Sequence, residues 1–279
     1  MLHLVLAALL LAESSTNADA GPAPGAPKDF PDDWISRTAR YMKSNPETVH
    51  ELMSENNAVV EGDVLLRRER NAVENIWPTL EIPYRISPEL AGQTDDILAA
   101  MAMLSKPTCV SFHEQTSETD YLLFRLSTGC GSYVGFIGGE QPVHIGPACT
   151  VGMIAHEVLH ALGLYHEHTR ADRRKYIAIL PDNIVKGMEG NFNVENGKTF
   201  NLSYDLSSIM HYGRGVFSAN GLPTILPKKS VKDMGQRVKL TNTDIKKVRL
   251  LYSCGDLLLN CRWCGSSGFT SSASCQKFG

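Results

Sequence analysis

The sequence lacks a surplus of either charge: 27 Lys and Arg stand against 30 Asp and Glu, leaving a formal net charge of −3 over 279 residues. Without a basic surplus there is no electrostatic footing for a phosphate backbone or an anionic bilayer, so neither nucleic acid nor membrane is expected as a partner. A long apolar run is also missing. The stretch from Met1 to Ala12, through Leu4, Val5, Leu6, Leu9, Leu10 and Leu11, is too short to cross a bilayer comfortably, and no later segment is longer. No internal repeat is evident. At 43% hydrophobic and 20% charged, the chain can bury one substantial core, or two lobes facing a cleft, but hardly two large independent domains.

The opening run lacks a Lys or Arg before it, yet it reads as the apolar part of a signal peptide. Ala18-Asp19-Ala20 supplies the small-x-small pattern for cleavage after Ala20. The expected organisation is therefore a signal peptide over 1–20 and a propeptide over 21–70, beginning with the Gly/Ala/Pro-rich linker Gly21 to Lys28. A basic cluster, Arg67-Arg68-Glu69-Arg70, marks a processing boundary suited to an activating trypsin-like protease. A catalytic domain over 71–255 and a Cys-containing tail over 256–279 complete the chain. Strands are expected at Ile82 to Ile86, Val110 to His113, Tyr121 to Leu126, and Tyr133 to Ile137 running on toward Val143 and Ile145. Helical spacing links Ile97, Leu98, Met101 and Leu104; further helices are expected at Val151 to Leu162 and near Asp244 to Leu251.

The decisive segment runs from His156 to Glu167. On a helix His156 and His160 lie about 6 Å apart along the axis and nearly on one face, so both imidazoles can converge on one ion. Straight continuation would turn His166 away from that face. Gly163 sits where a bend is needed, because a residue without Cβ can take the left-handed conformation that ends a helix. His166 then returns as a third ligand. Three neutral imidazoles leave an open corner on one Zn2+ per chain, as catalytic rather than structural zinc requires. Glu157 is not needed as a ligand and can act as general base on the zinc-activated water. H-E-x-x-H alone arises by chance in about 3% of chains this long; adding Gly163 and His166 lowers that by a further factor of about 400. The extended motif is specific.

H-E-x-x-H-x-x-G-x-x-H followed by a methionine turn is the metzincin pattern. Glu167 after the third His, and Ser208-Ile209-Met210-His211-Tyr212 downstream, resemble the astacin branch. Arg170, Asp172, Arg173, Tyr176, Asn183-Ile184 and Asn191-Phe192 continue the likeness to about Cys254, with hatching-enzyme-like proteases the nearest kind. The resemblance implies an α+β fold with two lobes, the N-terminal one a mixed β-sheet with two helices, the C-terminal one largely irregular with a late helix. It implies that Met210 packs beneath the zinc ligands and that Tyr212 ligates zinc at rest, then swings away to donate to the developing oxyanion. Judged without it, Tyr212 is a packed aromatic and Met210 a core methionine. Glu167 is implied to receive the new N-terminus once cleavage after Arg70 frees Asn71; taken bare, it is a surface carboxylate. Val60-Glu61-Gly62-Asp63 resembles the family's propeptide motif, with Val where Phe is usual, and implies that Asp63 occupies the catalytic corner of zinc in the zymogen. Alone, Gly62-Asp63 is a turn.

Seven cysteines in an exported chain point to disulfides, and the odd number leaves one over. By the resemblance Cys109 pairs with Cys254 and Cys130 with Cys149, while Cys261, Cys264 and Cys275 fall in the tail. Gly131 to Phe136 is expected to form the cleft's upper edge, where an extended peptide or protein substrate adds as an antiparallel strand. Asn201-Leu202-Ser203 is a glycosylation sequon or a plain loop. The favoured reading is a secreted, extracellular, monomeric zinc endopeptidase made as a zymogen. The alternatives are a catalytically silent secreted binding protein of the same fold and a structural-zinc or tail-mediated interaction module. Intact Glu157, Tyr212 and three histidines speak against the first, and the open three-His site against the second.

Overall fold

Alternating burial builds the first lobe. In a computed structural model, which describes residues 59–60, 63–65 and 76–255, Leu122 and Phe124 of the strand Tyr121–Leu126 and Val143 and Ile145 of the strand Glu140–Ile145 all turn inward with no exposed area. In chain order the main sheet comprises β1 (Val59–Val60), β2 (Val64–Leu65), β3 (Glu81–Ile86), β4 (Ser111–Glu114), β5 (Tyr121–Leu126), β6 (Gly131–Tyr133) and β7 (Glu140–Ile145). Their spatial order is β1-β2-β6-β7-β5-β3-β4. The pairs of β3 with β4, β3 with β5 and β5 with β7 are parallel, whereas β6 runs antiparallel to β7. The sheet is therefore mixed, as the resemblance implied.

Two helices, α1 (Thr94–Ser105) and α2 (Val151–Ala161), pack on each other and share one core with the sheet. On α1 the buried stripe is Ile97, Ala100, Met101 and Leu104, while Leu98 is 40% exposed. The expected membership of Leu98 is thus corrected: at 100° per residue it falls beside the stripe and Ala100 falls on it. The expected run from Tyr133 toward Ile145 is likewise corrected: β6 already ends at Tyr133, no strand covers 134–139, and β7 begins only at Glu140. Gly138 and Gly139 both have positive φ, at 76° and 65°, and the reversal they permit lies between β6 and β7.

Helix α2 is buried on nearly every side. Its C-terminus closes as a Schellman turn: the N–H of Leu164 donates to Leu159 O at 3.0 Å and that of Gly163 to His160 O at 2.8 Å, with Gly163 at φ 108°. Trp77 Nε1 donates to Ala161 O at 3.1 Å and the Tyr252 hydroxyl to Leu162 O at 2.9 Å, so the last carbonyls of the helix are satisfied from both lobes.

Beyond Gly163 the chain is mostly short 3-10 turns and loops. It adds a two-stranded antiparallel sheet, β8 (Ile177–Ile179) with β9 (Ile225–Pro227), that the sequence reading did not include. A second cluster, of Ile177, Ile184, Phe192, Tyr204, Tyr212, Phe217 and Ile225, forms its core. Helix α3 (Asn242–Leu251) returns Val248 and Tyr252 to the main core, and Cys254 is bonded to Cys109. Cys130 is bonded to Cys149. The expected signal peptide, Arg70, Asn71, and the tail with Cys261, Cys264 and Cys275 lie outside the described residues. Among the described residues no helix is long and apolar enough to cross a membrane.

Candidate metal centre

One turn of α2 separates His156 from His160, and the turn at Gly163 brings back His166. The three Nε2 atoms lie 3.1 Å (156 to 160), 3.2 Å (156 to 166) and 3.3 Å (160 to 166) apart. All three rings are buried. The Nδ1 of His156 faces Ile209 O at 2.8 Å and that of His160 faces Leu164 O at 2.7 Å; a carbonyl only accepts, so Nδ1 carries the proton. Bare lone pairs on Nε2 then point at one another, a repulsive arrangement unless a cation sits among them. Edges of this length belong to a tetrahedron with a centre about 2 Å from each corner, the reach of a Zn–N bond. The donor set fits zinc. Burial first, and then the charge of Arg237, hold His156 well below the ordinary imidazole pKa, which keeps it in the neutral form a ligand needs.

The fourth corner is taken by Asp63. Its Oδ2 lies 3.0 Å from His156 Nε2, and Oδ1 lies 3.2 Å from His166 and 3.5 Å from His160. Burial opposes ionisation of this carboxyl, but positive charge at the histidine cluster around it, at His166 foremost, outweighs burial and holds its pKa well below the usual range. Just beyond it, β2 lies along the edge of β6, with Val64 opposite Ser132 and Leu65 opposite Tyr133, and Ser132 N–H donates to Asp63 O at 2.9 Å. That pairing is parallel. The sheet edge expected to take an antiparallel substrate thus carries a segment of the chain itself, running in the opposite sense.

Glu157 is completely buried beside His156 on α2 and stands outside the four converging side chains. Met210 is also fully buried; its carbonyl accepts the Glu167 N–H at 2.8 Å, joining the turn to the residue after the third histidine. The Tyr212 ring lies 4.6 Å from that of His166 and stacks on His168 at 3.9 Å.

A family model described as Astacin (Peptidase family M12A) matches residues 69–253, which include all three histidines, Glu157, Met210 and Tyr212. The chain belongs to the astacin family. It is 38% identical over 216 residues to Zinc metalloproteinase nas-4 of Caenorhabditis elegans, an alignment covering 70% of this chain and 69% of that protein. To High choriolytic enzyme 1 of Oryzias latipes it is 36% identical over 239 residues, covering 80% and 86%. The solved structure of that enzyme, described as a hatching enzyme zinc-protease, matches with a TM-score of 0.62 over 68% of this chain and 99% of that one. Other relatives are longer: the alignment with Zinc metalloproteinase nas-14 of Caenorhabditis elegans, 40% identical, covers only 38% of it. The chain is accordingly an astacin zinc metalloendopeptidase with an α+β fold, acting on peptide or protein substrates.

Three residues that shape this astacin centre had no role in the sequence reading. Asp244 is buried; its Oδ1 accepts the Ser208 hydroxyl at 2.5 Å and its Oδ2 the Ile209 N–H at 3.1 Å, so it anchors the backbone that orients His156. His168 supports Tyr212 by stacking, and burial foremost holds its pKa well below the ordinary imidazole value. Lys247 pairs with Glu167. Only Asp244 had a visible signal, the Thr241-x-x-Asp244 capping box, and the structure forms both halves of it. Asn201 is exposed and has a positive φ of 55°.

Proposed function

We propose that the chain is the latent precursor of a secreted endopeptidase that cuts extracellular proteins. One observation carries this reading: a carboxylate from the segment before Arg70 lies within 3.5 Å of all three histidine Nε2 atoms, at the corner that catalysis needs open. A carboxylate there excludes the attacking water, so latency has a direct chemical cause. The reversed strand explains why the precursor survives in its own cleft. Running parallel to β6, it offers a side-chain carboxylate where an antiparallel peptide would offer a scissile carbonyl. Cleavage after Arg70 by a trypsin-like protease, freeing Asn71, then releases 21–70, after removal of the signal peptide 1–20. The two disulfides agree with an oxidising compartment. The tail 256–279 is an appendage, Asn201 is exposed for glycan addition, and the active form is a monomer.

His156, His160 and His166 would hold the zinc, which when bound polarises the scissile carbonyl and acidifies the attacking water. Glu157 takes the proton of that water and delivers it to the leaving amine, in a buried setting where little solvent competes for it. With Asp63 gone, Tyr212 would be the residue to hold the fourth corner at rest, and with substrate bound its hydroxyl would donate to the oxyanion as the carbonyl becomes tetrahedral. Stacking on His168 limits where that ring can go. No silent binding role is needed to explain a site that retains base, phenol and all three imidazoles.

The test is Glu157→Gln in the processed protein. Zinc content should stay at one per chain while hydrolysis of casein falls by roughly 10²–10⁴-fold, the range for loss of a general base. Undiminished turnover would sink the mechanism. For latency, uncut Asp63→Ala precursor should hydrolyse casein at least about tenfold faster than uncut native precursor, a difference of about 1.4 kcal/mol in barrier. Equal rates would dismiss Asp63 as the block.

A further inference from the structure

Glu167 links the two parts of the metal centre that come from distant sequence. It follows His166 directly, and its N–H is bonded to Met210 O at 2.8 Å, so any shift of Glu167 moves the third-histidine corner against the methionine turn. Its carboxylate is buried, which demands compensation for the charge. Oε1 accepts Arg170 Nη1 at 3.1 Å and the Asp205 N–H at 2.9 Å, and Oε2 accepts Lys247 Nζ, which arrives from α3. Arg170 is itself forked onto Asp172 through Nε and Nη2, both at 2.9 Å. The cluster thus contains two carboxylates, Glu167 and Asp172, and two cations, Arg170 and Lys247. It is electroneutral.

The resemblance assigns Glu167 to the amine released on activation. A cavity of about 290 Å³ borders Glu167, Arg170 and Lys247, and Ile76, five residues after Asn71, lines its wall. Glu195 and Lys198 face the same cavity with opposite charges and do not tip the balance. A further ammonium driven against a neutral buried cluster would leave one positive charge without a partner, the costly outcome for a desolvated ion. Lys247, held on a helix that is also tied in through Val248, Tyr252 and the Cys109–Cys254 bond, already supplies the cation.

We infer that Lys247 is the standing counter-ion of Glu167 and a positioning residue for the His166 corner, so that the processed enzyme does not depend on its new N-terminal amine for this task. The inference rests on the proposed zinc hydrolysis and on cleavage after Arg70. The experiment uses full-length precursors carrying an inserted site for a sequence-specific protease, so that processed chains begin at Asn71, at Val73, or two residues upstream at Glu69. In the native background all three should show the same kcat and KM to within about twofold, and the same visible spectrum when cobalt replaces zinc. In Lys247→Met the chain beginning at Asn71 should be at least about tenfold higher in kcat than the other two, with KM unchanged and the cobalt spectrum altered in those two. Lys247→Arg should restore indifference to the N-terminus.

A native enzyme that loses about tenfold or more in kcat on trimming or extension overturns the inference, as does a folded Lys247→Met enzyme as indifferent as the native one. The native series decides the matter even if Lys247→Met fails to fold. Absence of hydrolysis from every native form would instead defeat the proposed function, a different result from activity that depends on the N-terminus.

Discussion

The two lobes are stabilised by different means. In the first, position follows from periodicity: β5 and β7 present every second side chain to the core and α1 presents a stripe, so the architecture is a consequence of apolar burial. In the second, between Gly163 and α3, a smaller apolar cluster is supplemented by side-chain hydrogen bonds, many of them to backbone. Asp244 accepts from Ser208, Ile209 and Thr241; Thr224 Oγ1 donates to Val216 O at 2.7 Å; Asn183 Nδ2 donates to Pro223 O at 2.7 Å. The zinc ligands straddle the divide, two on the most buried helix and one just past its end. A burial-built lobe can supply a rigid pair of histidines, but the third histidine and the Tyr212 ring stacked on His168 need a wall shaped residue by residue.

The comparison breaks most severely in the first lobe. Phe124 has no exposed area and touches Tyr84 edge-on at 6.3 Å, so Phe124→Ala should lower unfolding free energy by about 3–5 kcal/mol, the cost of a large core cavity. Urea denaturation of the precursor checks the size. Zinc affinity of the molecules that remain folded should not change, because no ligand or ligand partner leans on Phe124 through a hydrogen bond. Weakened zinc binding would show the lobes to be less separate than their construction suggests.

Asp244→Ala should cost about 3 kcal/mol, since it leaves Ser208, Ile209 and Thr241 donors without their acceptor in a buried place. Its second effect distinguishes the lobes. Ile209 O orients His156, and losing such an outer partner should weaken zinc roughly 10–100-fold, measured by competition with a chelator. A variant destabilised equally but binding zinc normally would remove Asp244 from the centre's support.

This division also explains what the amino-acid sequence could disclose. His156, His160, Gly163 and His166 are neighbours along the chain, and their geometry follows from helix pitch and one left-handed residue; so do the strands that alternate cleanly. The pairing of β8 with β9 joins Ile179 to Ile225, and Lys247 meets Glu167 across 80 positions. Neither leaves a local period. The division of β6 from β7 was hidden because apolar residues on both sides of Gly138 and Gly139 read as one run. The parallel sense of β2 on β6 was likewise unreadable, since strand direction leaves no trace in composition.

The smallest expected effect sharpens the contrast within α3 itself. Thr241 caps this helix: its hydroxyl accepts the Asp244 N–H at 3.1 Å, and its own N–H donates to Asp244 Oδ2 at 2.9 Å. Thr241→Ala deletes the hydroxyl half of this reciprocal pair and leaves the backbone half, with the grip of Asp244 on Ser208 and Ile209 intact. The expected loss is about 1 kcal/mol, the usual cost of removing an N-cap side chain, with zinc affinity unchanged. Because Thr241 and Asp244 belong to one network, their double variant should cost less than the sum of the two single ones. Simple additivity would mean that the cap and the support of the methionine turn work independently, and that Asp244 acts on the metal centre without help from the start of α3.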